Sequence, residues 1–163
     1  MLKAFRHHAT ACILLLLCLT IGISFATEEP LPLRHDAAIA INRQVFMVEL
    51  ATTPEQQQRG LQGRSHVPRG EGMAFVFREP TNTSFWMKGC KAALDLVFIK
   101  GSQVVFVAAE MPPCLDSEDT LCPEITAPVT YDTTVELSAG EAARHGIQRG
   151  SIVQWLWAVP RGD

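Results

Sequence analysis

The sequence predicts a mainly β fold, a single compact β-sandwich or barrel with two short helices. Three observations predict it. Short apolar stretches of strand length recur along the chain, separated by turn residues. Val129, Tyr131, Thr133, Val135 and Leu137 alternate with Thr130, Asp132, Thr134 and Glu136, the period of a strand wet on one side. Helix signals occur at only two places, without the βαβ alternation of a layered α/β fold.

The first 26 residues read as a secretory signal. Lys3 and Arg6 give a positive start, Ala11 to Ile23 is nearly unbroken apolar sequence, and Ser24-Phe25-Ala26 places small residues where a signal peptidase reads them. The apolar run, about 13 residues, is short of the ~20 that a membrane helix needs. Cleavage after Ala26 leaves an exported domain, periplasmic or extracellular, with no membrane span. Residues 27–38, with Pro30, Pro32 and several charges, read as a flexible linker. The folded domain is expected over 39–159.

Within it, Ile39 to Ile41 pairs with Val45 to Leu50 as a short hairpin across Asn42-Arg43-Gln44. Thr53-Pro54-Glu55-Gln56 starts a helix. Thr53 caps it, Pro54 suits the first turn and Gln56 completes a capping box, with Gly60 as the stop. Met73, Phe75 and Phe77 alternate along a third strand, and Thr83 to Met87 forms a fourth. Leu94 to Ile99 and Gln103 to Ala109 are joined by the turn Lys100-Gly101-Ser102. Residues 112–128 are a proline-rich loop. After the alternating strand, Ser138-Ala139-Gly140-Glu141 reads as a second capping box, opening a short helix that stops at Gly146. Ser151 to Trp157 is the last strand.

Charge and sulfur bound the function. Signal removal takes two cations and no acids, so the net charge moves from −3 to −5. A mildly acidic domain without a basic stripe argues against nucleic acid as a partner. Three of five cysteines remain: Cys90, Cys114 and Cys122. Export permits disulfides, and Cys114–Cys122 is the favoured pairing because it closes one loop. Cys90 is then the odd thiol, buried, reactive or bonded to a partner.

Several stretches resemble the DUF192 (UPF0127) family. They are Arg59-Gly60-Leu61, Gly72-Met73 with Phe75 and Phe77, Phe85-Trp86-Met87-Lys88, and Leu94-Asp95. Pro112-Pro113-Cys114, Leu137-Ser138-Ala139-Gly140, Gly146-Ile147 and Gly150 complete the set. The resemblance runs from about Ile39 to Trp157. It implies a small exported β-rich domain of jelly-roll-like shape, and it implies no activity. The sequence departs from the family pattern after Lys88, where the family usually continues Asn-Thr and places a Pro just before Leu-Asp. Gly89, Cys90 and Ala93 stand here.

The candidate site centres on Trp86, Met87 and Lys88. Strand alternation puts Trp86 and Lys88 on one face and Met87 on the other. Trp86 is then a stacking platform with a cationic partner, suited to a sugar ring or an extended peptide. Alternatively Trp86 fills the core and Lys88 lies in solvent or pairs with Asp95. Asp95 is expected at the far side of this surface and Arg59 at its rim. Arg59 and Arg64, near Glu71, are candidates for gripping a carboxylate or phosphate, or for a helix-end interaction plus an ion pair. These features favour a monomeric module that binds a small ligand or an envelope protein, without catalytic residues or cofactor.

Two alternatives use the sulfur atoms. Cys90 could be the nucleophile of a hydrolase or redox enzyme, with His66 or His145 as base. Met73, Met87, Met111, Cys90, Cys114 and Cys122 could offer soft ligands to copper, though no metal-ligand spacing links them and His35, His66 and His145 are scattered.

Overall fold

The computed structural model describes residues 32–115 and 122–158. The expected signal segment 1–26 and the first residues of the expected linker lie outside them. No helix among the described residues is long and apolar enough to cross a membrane. Nine strands and two helices occur among these residues: β1 (Ala37–Ile41), β2 (Gln44–Ala51), α1 (Pro54–Arg59), β3 (Glu71–Thr81), β4 (Phe85–Trp86), β5 (Leu94–Lys100), β6 (Gln103–Met111), β7 (Glu124–Ile125), β8 (Tyr131–Ser138), α2 (Glu141–Arg144) and β9 (Val153–Ala158).

Seven strands form one sheet in the order β6-β5-β8-β3-β2-β1-β9, and β4 pairs with β7 in a separate ribbon. The large sheet curls until its edges approach at one end. There Val104 N–H donates to Ser151 O at 2.9 Å, and Gly150 N–H donates to Val104 O at 2.8 Å. This closure pairs only residues 102–104 at the start of β6 with residues 150–153. One pairing departs from the sequence reading. β2 and β3 run parallel, and α1 is the crossover between them, because a tight hairpin cannot join parallel strands.

Alternation along the central strands supplies two cores. Ala74, Val97, Val135 and Leu137 face one, which also takes Ile39, Phe46, Val104 and Val153 and so draws on all seven strands. Met73, Phe75, Leu96 and Phe98 face the other, roofed by Leu61, Phe85, Met87, Ile125 and Ala127. Strand β8 therefore has no wet side. Its partners are β3 and β5, and both its faces are covered; Thr134 and Glu136 are buried with the rest. The period-two alternation does mark a strand, but its polar face lies under the second core's roof.

Two further details differ from expectation. The helix α2 is not capped by Ser138. Gly140, at φ +85°, is its N-cap and makes no side-chain cap bond. Asp95, from neighbouring β5, serves instead: one carboxylate oxygen accepts from Ala142 N–H and the other from Glu110 N–H, both at 2.7 Å. Also, residues 33–38 are not a loose arm. Leu33 packs in the second core, the Asp36 carboxylate accepts from Leu50 N–H at 2.9 Å, and Ala37 already lies in β1. The capping box of α1 forms as read, with Thr53 and Gln56 exchanging bonds.

Candidate functional site

A cleft of about 230 Å³ opens between the C-terminal end of α1 and the β4 segment. Each wall has a local cause. Gln57, on α1, donates from Nε2 to Ala51 O at 3.3 Å and to Val76 O at 3.1 Å, fixing the helix over β2 and β3. That places Arg59 at the mouth. Gly60 then turns the chain at φ +48°, where its Cα side passes close to the Phe75 ring; a Cβ there would lie 3.3 Å from the Phe75 Cζ. Leu61 is buried beyond it.

The opposite wall is β4 and the turn after it. Trp86 is 37% exposed and Met87 is fully buried, so the expected alternation holds, with Met87 in the core. The Lys88 ammonium sits 5.4 Å from the centre of the Trp86 ring, a cation–π contact. The turn at 88–90 is tied down by backbone bonds on two sides. Gly89 N–H donates to Cys114 O at 2.8 Å, and Gly63 N–H donates to Gly89 O at 2.9 Å. Cys114 is in turn joined to Cys122 by a disulfide, which is the pairing expected from the sequence.

The inner walls are aromatic. Phe75, Phe77 and Phe85 all line the cleft. Phe85 meets Phe75 edge-on, with ring centres 5.0 Å apart, and Phe77 at 6.5 Å. Cys90 and Glu136 line the same cleft. Glu136 is 4% exposed, and its Oε2 has no hydrogen-bond partner among the described residues. Burial alone pushes its carboxyl up to about 8. The Cys90 thiol is pushed up to about 12, first by burial and then by the charge of Glu136.

The structure thus brings Arg59, Trp86 and Lys88 together and places Asp95, Arg64 and Glu71 elsewhere. Asp95 is fully buried and makes the two backbone bonds that hold α2 and the left-handed Glu110, at φ +52°. It does not line the cleft and does not face Lys88. Arg64 pairs with Glu49 at 2.8 Å, and Glu71 with His35 at 3.1 Å. A second, more open cleft lies across the Arg59–Gly60 ridge, lined by Arg34, Arg64, Lys91 and Glu49. Glu136 was missed by sequence reasoning. Its alternation with apolar residues is the signal of a solvent-facing strand position, and only the sheet order reveals that it is internal. No cluster of three or more His, Cys, Asp or Glu able to hold a metal occurs among the described residues. The disulfide takes two sulfurs from the proposed soft-ligand set.

The sequence stretches that resemble one another across a family converge on these features: Arg59-Gly60-Leu61, Phe75, Phe77 and Phe85-Trp86 build the cleft, and Leu94-Asp95 with Leu137–Gly140 builds the α2 anchor. The DUF192 family model, "Uncharacterized ACR, COG1430", matches residues 37–155. The chain belongs to the DUF192 family. No curated protein matches it. Among solved structures, a protein of unknown function from Novosphingobium aromaticivorans DSM 12444 is similar. It is 30% identical, with a TM-score of 0.65, over 72% of this chain and 84% of that one. A structure from Sinorhizobium meliloti 1021, described as a "putative transcription regulator", shares the fold. It is 23% identical, with a TM-score of 0.67, over 77% of this chain and 97% of that one. This DUF192 chain therefore shares its fold with both of these proteins.

Proposed function

We propose that the chain is an exported DUF192 domain that binds a small ligand in the cleft beside Trp86. The carrying observation is the combination of a half-exposed tryptophan, a lysine over its ring and a pocket of three phenylalanines behind it. Concave, mostly apolar sites with a few fixed polar groups are the usual form of small-ligand sites. A sugar ring or one peptide side chain is of suitable size. The signal-like N-terminus and the Cys114–Cys122 disulfide support export to an oxidising compartment.

The thiol-enzyme reading is less favoured. At about 12, the Cys90 thiol keeps its proton near neutral pH, and the thiolate is the nucleophile. His145 lies against Phe46 and Glu141 instead, and His66 is exposed outside the cleft lining.

The test is native mass spectrometry of the protein purified from the exported fraction without reductant or denaturant. The expected result is a mature mass, one bridge, one thiol and a retained adduct that disappears in Trp86→Ala. An adduct unaffected by Trp86→Ala, or a bare protein under all isolation conditions, counts against this site.

A further inference from the structure

The cleft has a polar floor that the fold itself does not use. Glu136 projects from the middle of β8, opposite Met73 on β3 and Leu96 on β5. Neither neighbour can hydrogen-bond strongly to it. One carboxyl oxygen is left without a partner among the described residues. A buried polar group in that condition costs free energy that a bound partner would recover. Ordinary packing would place an apolar residue at such a position; a carboxyl lining an open cleft is suited to a ligand.

We propose that Glu136 is the specificity-determining hydrogen-bond donor at the floor of this cleft, and that the ligand is a small hydroxyaryl carboxylate. Three features of the cleft set that chemistry. The Phe75, Phe77 and Phe85 walls suit an aromatic body, through edge-to-face contacts. Arg59, exposed at the mouth, suits an anionic outer end. The floor requires an oxygen at the inner end, which a phenolic hydroxyl supplies. The carboxyl, its proton retained up to about 8, donates to that oxygen at neutral pH. The other titratable groups lining the cleft are Arg59, Lys88 and Cys90. The thiol, at about 12, does not change charge in the same range. The inference rests on the cleft being the ligand site.

The same chemistry has two sources, a free hydroxyaryl acid or the C-terminal tyrosine of a peptide. Calorimetric titration of the folded protein with 3-(4-hydroxyphenyl)propionate, 3-phenylpropionate and Gly-Gly-Tyr separates them. The expected result is that the hydroxylated acid binds at least tenfold more tightly than the phenyl analogue, since a site built to bond an oxygen rejects the compound lacking it. Affinity should also fall about tenfold per pH unit above pH 8, as Glu136 loses the proton it donates. Glu136→Gln, which keeps a neutral donor, should retain binding and lose that pH dependence. Whichever of the free acid and Gly-Gly-Tyr binds more tightly identifies the source. Equal affinities for the two acids, or an unchanged pH profile in Glu136→Gln, overturn the role of Glu136 while leaving the cleft as a site. Absence of binding by all three overturns the ligand class, and the mass-spectrometric adduct then judges the cleft separately.

Discussion

Replacing Glu136 by Gln should make the protein more stable at neutral pH, by an amount that depends on pH in a defined way. Burial raises this carboxyl from an ordinary value of 4.5 to about 8. In the unfolded chain it ionises near the lower value, so between the two the folded state holds a proton that the unfolded state has lost. Stability from this group is full below about pH 4.5, falls as pH rises, and levels off above about pH 8. Each pH unit inside that window is worth roughly 1.4 kcal/mol. At pH 7 the deficit relative to acid conditions is therefore on the order of 3 kcal/mol. Gln has nearly the same shape and carries no such deficit. Urea unfolding of both proteins at pH 5, 6, 7 and 8 checks this, because titrations common to the two cancel in the difference. The gap should widen steadily in favour of the variant from pH 5 to pH 8. A gap that is constant across this range would refute the claim that Glu136 is buried as a neutral acid.

Four other outcomes follow from the geometry. Asp95→Ala should cost about 3 kcal/mol in chemical denaturation, since it strands two backbone donors bonded at 2.7 Å; a surface ligand residue would cost far less. Trp86→Ala should unfold within about 1 kcal/mol of wild type, because Trp86 is partly in solvent, whereas Met87→Ala should lose roughly 2–5 kcal/mol from the core. Gly72→Ala should be severely destabilising, because its Cβ would fall 2.2 Å from the Glu136 carbonyl oxygen, and thermal melting would show it. Cys90 should react with iodoacetamide only after denaturation, since its thiol is buried and held near 12; fast native alkylation at pH 7.5 would contradict that.

Local signals in the chain were enough for most elements. The Thr53–Gln56 box, the Asn42-Arg43 turn with both residues at positive φ, and the Lys100–Ser102 turn all specify structure within a few residues. What was not legible depends on partners distant in sequence. The parallel β2–β3 pairing comes from where α1 packs, which no strand pattern encodes. Glu124–Ile125 forms a strand only because it meets Phe85 and Trp86. Asp95 reads like a site residue, yet its carboxylate completes α2, doing what Ser138 was expected to do. In the site, Trp86, Lys88 and Arg59 were visible as residue types. Glu136 was hidden because an acid alternating with apolar residues has the same local pattern whether its face meets water or a roof.

The central claim is that the surface around Trp86 is a ligand site. The most direct measurement is a two-dimensional NMR titration of the ¹⁵N-labelled protein with a fragment set of neutral sugars, short peptides and ring carboxylates. The chain has three indole reporters, Trp86, Trp155 and Trp157, and the latter two lie on β9, outside the cleft lining. The account predicts saturable shifts of the Trp86 indole together with the Gly60 and Gly89 amides, while the β9 indoles stay in place. Shifts confined to Trp155 and Trp157, or a Trp86 signal that no fragment moves, would contradict it.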